Sequence, residues 1–317
     1  MKFNTAWLLT TLALCLNPSD VSGFHTMPTA VSQKAMTTRL EASGTAVAIG
    51  TSLDSLLGPN RAKIEALASI DPNVSEIQRL RFALAFPDGT EAEKALRDTI
   101  VWRKGPGKKI VDAAAEAVAK AMADGGWNND VVRDMAPHAA QINKFITPKN
   151  ILTMSMEDGV DMVYVIRASA IDDKGLMKKV SVQQMVDFFA YVKEIHSLIA
   201  DRRSEESGIL AQVIFANDIS GIRQPPDKNF SKALSNSSKQ YEGLYPSLAG
   251  PTMILNLPFI LQAFVALFKP LFPKTVQERL KFVRAPVLAS LVQLTPLSND
   301  KSTKNKFLNE VKELLVK

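Results

Sequence analysis

The sequence predicts an α/β protein: a mostly parallel sheet flanked by helices, preceded by a small all-helical module. Two observations carry that reading. Residues 52–125 place apolar positions at helical spacing, broken by turn residues. Beyond residue 160, short β-rich runs alternate with helical stretches. Strand–helix alternation at this spacing builds βαβ units and hence a largely parallel sheet. Composition agrees. Of 317 residues, 46% are hydrophobic and 22% charged, enough to bury a sizeable core in one or two domains.

The helical module comes first. Residues 60–69 form a short amphipathic segment. Asp71-Pro72 opens the next helix, with Pro72 suited to its start and Ile77, Leu80 and Leu84 at helical spacing. Phe86-Pro87-Asp88-Gly89-Thr90 is a turn. Thr90 then caps a helix with Glu93 three residues on, a capping-box arrangement. Leu96, Ile100 and Trp102 follow, and Gly105-Pro106-Gly107 ends it. Residues 112–123 form an alanine-rich helix stopped by Gly125-Gly126.

The pattern then changes. Met162-Val163-Tyr164-Val165-Ile166 is a β-rich run. Residues 181–203 form a long helix with Met185, Phe188, Phe189, Val192, Ile195 and Ile199 on one broad face. Gln212-Val213-Ile214-Phe215-Ala216 is a second strand, residues 230–244 a more polar helix, and Thr252-Met253-Ile254-Leu255 a third strand. A helix follows over 258–268. Gln277-Glu278-Arg279-Leu280 leads into Lys281-Phe282-Val283. Units are thus expected at 52–125 and 128–317.

Residues 1–51 read as an address. Lys2 precedes the apolar run Ala6 to Leu16, then Asn17-Pro18 and the small residues around Val21-Ser22-Gly23: a signal peptide over 1–23. Residues 24–51 are rich in Ser, Thr and Ala and poor in acids, as organelle transit peptides are. A leader cut before Phe24 and followed by such a stretch resembles the bipartite presequence of algae with secondary plastids. It implies a plastid location. A secreted or endomembrane-lumenal protein with a floppy N-terminus is the alternative.

Several function classes are disfavoured. Net charge is +6, but the charges are spread and no basic stripe interleaves with aromatics, so nucleic acid is not expected as a partner. An anionic lipid surface stays open as a partner, beside a plain solvated surface. Cys15, the single cysteine, lies in the signal peptide, and the three histidines are scattered, so no metal site is expected. There is no G-x-S-x-G elbow, no P-loop and no G-x-G-x-x-G after a strand. Lys104-Gly105-Pro106-Gly107-Lys108 has the wrong spacing for phosphate. Asp172-Asp173 and Glu205-Glu206 read as adjacent loop acids that point apart, and His196 as a packed helix residue. No catalytic residue is assigned, and an enzyme is not expected.

The stretch ILNLPFILQAFVALFKPLF, residues 254–272, is almost long enough to cross a bilayer and almost without charge. Pro258 and Pro270 bracket too few residues for a bilayer span of about 20. It divides instead into a strand, a turn and a helix. That helix is apolar nearly all round, with Phe259, Phe264 and Phe268 among its residues and Gln262 its one polar interior position. A helix without a polar face needs apolar material on both sides.

Around it lie Tyr245-Pro246, Asn256-Leu257-Pro258-Phe259, Phe268-Lys269-Pro270-Leu271-Phe272, Lys274-Thr275 and Arg279-Leu280. This order resembles the C-terminal half of the CRAL-TRIO lipid-binding domain, the family of yeast-type phosphatidylinositol transfer proteins and of retinaldehyde and tocopherol carriers. Tyr164-Val165-Ile166, Asp218-Ile219-Ser220-Gly221, Leu80-Arg81-Phe82 and Trp102-Arg103 extend the resemblance to about residues 55–300.

The resemblance implies a hydrophobic lipid pocket with a sheet floor, closed by a gate helix at 258–268. One phospholipid, galactolipid or prenyl lipid would be held there and exchanged at a membrane surface by a monomer, with no cofactor beyond the bound lipid. Wall residues would be Phe188, Phe189, Phe215, Met253 and Leu255, with Phe259, Phe264 and Phe268 on the gate and Arg279 near a headgroup. Two departures bear on the ligand. Ser247 stands where the family has a glutamate, and Arg279 where it has a lysine, which argues against phosphatidylinositol. A lipid-responsive scaffold and a lipid-acting esterase are the alternatives, the missing nucleophile elbow counting against the second.

Overall fold

The computed structural model describes residues 47–123, 127–156, 159–222, 224, 226–256 and the strand 280–283. The expected signal and transit segments up to residue 46, the helix stop at Gly125-Gly126, the helix at 258–268 with Phe259, Phe264 and Phe268, and Arg279 lie outside this set.

Four helices open the described chain. Helix α1 (Leu53–Ala68) is capped by Ser52, whose side chain accepts the Ser55 N–H. It starts at Leu53 rather than at residue 60, running through Pro59. Tertiary anchoring overrides the local break. The Leu53 N–H donates to the Gly208 carbonyl at 2.8 Å, and Leu53, Ile64 and Leu67 are buried.

Helix α2 (Glu76–Ala85) is capped by Ser75, not opened by Pro72. Asp71 instead closes a turn by accepting the Asn73 N–H at 3.0 Å. Helix α3 (Gly89–Lys104) is capped by Asp88, which accepts the N–H groups of Thr90 and Glu91, so the expected cap at Thr90 falls two residues late. Carboxylates and hydroxyls both cap well, and Asp88 sits earlier. Helix α4 (Lys108–Ala121) begins at Lys108 rather than 112, directly after Gly107. A Cβ on Gly107 would stand 2.5 Å from the Trp102 ring, so glycine lets the chain turn over the indole.

Two short helices, α5 (Asn129–Asp134) and α6 (Ala139–Ile142), lead to strand β1 (Ile151–Ser155). Strands β2 (Met162–Arg167), β3 (Val213–Asp218), β4 (Ala249–Leu255) and β5 (Leu280–Val283) follow. Between them lie helices α7 (Asp173–Met177), α8 (Val182–Ser207) and α9 (Lys228–Leu244). Ser181 and Gln184 form a capping box at the start of α8, and Gly208, at φ +71°, closes its end. The helix runs on to Ser207, so Glu205 and Glu206 are helical rather than in a loop.

The sheet has five strands in the order β1-β2-β3-β4-β5. Strand β1 is antiparallel to β2, and every later pairing is parallel. The sheet is therefore mostly parallel with helices flanking it, as the strand–helix alternation requires.

Register divides the sheet into two faces. Tyr164 pairs with Phe215 and Phe215 with Thr252, whereas Val165 pairs with Ala216 and Ala216 with Met253. Side chains alternate along each strand. Met162, Tyr164, Val213 and Phe215 join a core with Ala200 of α8 and Tyr241 of α9, so this is the helix-bearing face. The opposite face presents Leu152, Met154, Val163, Val165, Ile214, Ala216, Met253 and Leu255, all buried. A second core joins α4 to α8 through Ile110, Ala114, Ala117, Phe188 and Phe189. A third, around Leu67, Leu80 and Leu96, holds α1, α2 and α3 together.

Candidate functional site

The helix-bearing face holds a cleft of about 1030 Å3 with a predominantly apolar wall. Helix α8 supplies Phe188, Tyr191, Val192, Ile195, His196 and Ile199 as one long wall. Strands β1 and β2 supply Ile151, Thr153, Met162 and Tyr164, and Val118, Trp127 and Val132 close the far side. The volume lies at the upper end of ordinary small-ligand sites, roughly 300–1000 Å3.

Three polar groups along the middle of this cleft, His196, Thr153 and Tyr191, are engaged with one another or with the backbone. His196 is 3% exposed, and its Nε2 lies 2.9 Å from the Thr153 hydroxyl. Burial, with the neighbouring Lys193 charge, pushes its imidazole down to about 3. It is neutral at physiological pH, and the Thr153 hydroxyl takes up its Nε2 within the wall. The Tyr191 hydroxyl donates to the Val132 carbonyl at 2.7 Å. Among the described residues no group of three or more His, Cys, Asp or Glu side chains could hold a metal ion.

A second chamber of about 310 Å3 lies on the same face, at the carboxyl ends of β2 and β3. Ile166, Phe189, Asn217, Phe230 and Leu234 line it, and Ile151 borders both spaces. Aromatic rings cross the sheet between the two. Tyr164 stands edge-on to His196 at 5.1 Å and to Phe215 at 5.8 Å, and Phe215 edge-on to Tyr241 at 6.4 Å.

The third space, about 480 Å3, separates the helical module from the sheet domain and is lined by charged groups. Their charges are spoken for. Arg103 grips the Glu194 carboxylate with two bonds of 2.7 and 2.6 Å, and the Tyr245 hydroxyl adds a third at 3.0 Å. Burial, and then the Glu194 carboxylate, hold the Tyr245 phenol protonated well above its usual range. Arg81 donates to Asp201 and to the carbonyls of Ser247 and Ala211. Lys104 meets Asp71 at 2.8 Å.

The five described wall residues expected from the sequence do not form one group. Phe188 lines the large cleft and Phe189 the smaller chamber, their rings 5.8 Å apart. Phe215 is on the helix-bearing face and partly exposed. Met253 and Leu255 point to the opposite face and are fully buried. The sequence reading missed β1 altogether and did not assign Tyr164, Tyr191 or Asn217 to the site. The short alternating run Ile-Leu-Thr-Met-Ser after Pro148-Lys149-Asn150 was the signal for β1.

The motif residues meet at the ends of the strands. Asp218 accepts the Ser220 N–H and the Asn256 side-chain amide, each at 3.0 Å, and lies 3.6 Å from Arg167. Asn256 has φ +59°, a left-handed conformation that asparagine tolerates better than most residues. Asn256, at the end of β4, is thus tied to the end of β3.

The described architecture is a mostly parallel sheet with α8 and α9 on one face and a largely apolar cleft between α8, β1 and β2. Residues 154–299 match the family model of the CRAL/TRIO domain. Over those residues the chain is similar to the CRAL/TRIO domain, in general a lipid-binding and lipid-transfer family. No curated protein matches the chain.

Proposed function

We propose that this chain holds one hydrophobic ligand, a phospholipid, galactolipid or prenyl lipid, on the helix-bearing face and exchanges it between membranes. The large apolar cleft along α8 carries this reading. Phe188, Phe189 and Phe215 then belong to the pocket side, and Met253 and Leu255 do not.

The strand order supports a gate at 258–268 on the same side. Strands β4 and β5 are parallel neighbours continuing the order set by β2 and β3. Crossovers between parallel strands are right-handed in nearly all proteins. The connection from β4 to β5 is therefore expected on the face of α8 and α9. Phe259, Phe264 and Phe268 would shield the ligand there, and Arg279 would stand near the polar end. Among the described residues no helix is long and apolar enough to cross a membrane. Peripheral membrane contact and a monomeric state are part of the proposal.

The proposed pocket needs no catalytic group, in keeping with a carrier. Residues 1–51 are proposed to route the chain to a plastid. A fluorescent fusion of residues 1–55 should reach that organelle, and its retention in the secretory pathway would reject the routing. Transfer is tested by mixing donor liposomes bearing a fluorescent galactolipid or phospholipid with unlabelled acceptors. Purified protein should accelerate exchange in proportion to its concentration. No acceleration with any lipid class would reject exchange.

A further inference from the structure

The smaller chamber contains a polar atom with nothing to bind. Asn217 is 4% exposed, and its Nδ2 is buried without a hydrogen-bond partner among the described residues. Folded proteins seldom leave a buried amide donor unmet, because it forfeits its bonds to water. Asn217 pairs in register with Ile166 and Ile254, so its side chain stands in an apolar row on the helix-bearing face. Facing it are Phe189 of α8 and Phe230 and Leu234 of α9.

Charged groups of this chamber sit at its mouth. Lys174 is exposed and donates to Gln224 at 3.0 Å. Asp173 accepts the Asp227 N–H at 2.6 Å, and Asp172 accepts the Gly175 N–H at 2.9 Å. Two carboxylates against one ammonium leave the entrance net negative, which disfavours anions, and the inner wall offers a neutral donor. About 310 Å3 suits a small molecule or one end of a larger one.

We propose that this chamber binds an uncharged, largely apolar molecule through a hydrogen bond from Asn217 to a carbonyl or hydroxyl oxygen. The proposal rests on the hydrophobic-ligand reading and narrows it. Among apolar ligands the chamber selects those with an acceptor at the buried end, such as ketones, quinones and fatty alcohols, over plain hydrocarbons and over anions.

Two probes of matched shape test this: 2-acetylnaphthalene, which carries a ketone oxygen, and 2-ethylnaphthalene, which does not. Both are titrated into the full-length protein by calorimetry and by nitrogen-15 NMR of the side-chain amides. The wild type should bind the ketone about tenfold more tightly, the scale of one buried hydrogen bond. The Asn217 amide signals should move with the ketone. Asn217→Leu should erase the preference, and Leu234→Trp, which fills the chamber from α9, should weaken both probes. Equal affinity in the wild type, no binding of either probe, or a preference that survives Asn217→Leu overturns the proposal. If Asn217→Leu does not fold, the wild-type comparison and Leu234→Trp decide. Lipid extraction reads the parent hypothesis separately. A lipid-loaded protein that ignores both probes removes the chamber alone. A protein that binds the ketone but never carries lipid removes the parent reading alone.

Discussion

Arg81 and Asp201 meet at 2.7 Å inside the protein, the arginine side chain only 3% exposed. The same guanidinium donates to the Ser247 carbonyl at 2.9 Å and the Ala211 carbonyl at 2.8 Å. One residue of α2 thus ties the helical module to α8 and to the segments entering β3 and β4. The planar fork of arginine can satisfy three acceptors at fixed angles, which a lysine ammonium cannot.

Arg81→Ala should therefore destabilise the protein strongly. It leaves the Asp201 carboxylate buried and unpaired, a loss of about 3–5 kcal/mol for such pairs. Arg81→Lys should recover only part of that. Adding Asp201→Asn to Arg81→Ala should cost less than the sum of the single changes, because the stranded charge is gone. Urea unfolding of the four variants measures this. A loss under about 1 kcal/mol for Arg81→Ala would show that the clamp is not needed.

His196 gives a pH dependence of definite sign. The folded chain keeps the imidazole neutral down to about pH 3, while the unfolded chain protonates it near 6.5. Between those values the unfolded state holds one more proton. The stability contributed by neutral His196 is fully present above pH 6.5 and is lost as pH falls toward 3. The slope is about 1.4 kcal/mol per pH unit. His196→Gln should flatten that part of the curve in unfolding experiments from pH 7 to pH 4. An unchanged slope would show that other groups account for the acid sensitivity.

The proposed gate should fail when its apolar face is charged. Phe264→Asp combined with Phe268→Asp should abolish exchange between liposomes while unfolding stays cooperative. Each ring buried against lipid is worth about 1.5–3 kcal/mol relative to water, so opening should occur at a membrane and scarcely in solution. Wild-type exchange rates in the double variant would reduce the stretch to plain core.

Phosphatidylinositol should be a poor ligand. Ser247 takes the place of the family's glutamate, has φ +51°, and gives its carbonyl to Arg81. A competition assay against neutral lipids reads this directly, and a strong preference for phosphatidylinositol would refute it.

The parts of this fold that rest on local chemistry could be read in advance. The helix start at Ser181, the apolar face of α8 and the β-rich runs at 162 and 212 each carry their signal within a few residues. Where distant contacts decide, local reading fell short. Helix α1 continues through Pro59 because Leu53 is pinned to Gly208. The cap of α3 went to Asp88 rather than Thr90, two residues that rank almost equally by type.

The site shows the same division. Aromatic content marked Phe188, Phe189 and Phe215, but which face Phe215, Met253 and Leu255 take depends on strand register, and β4 shifts its register opposite β3. Asn217 looks unremarkable inside Val-Ile-Phe-Ala-Asn-Asp. Only the packing of Phe189 and Phe230 against it exposes its unmet amide.

The central claim is that the helix-bearing face holds a lipid. Organic extraction of the purified full-length protein, with quantitative mass spectrometry of the extract, tests it most directly. The account predicts a defined lipid class at close to one molecule per chain, reduced when Phe188 and Phe215 are both changed to Asp in a variant that still folds. Extracts matching those of an unrelated protein purified alongside, even after incubation with mixed liposomes, would contradict it.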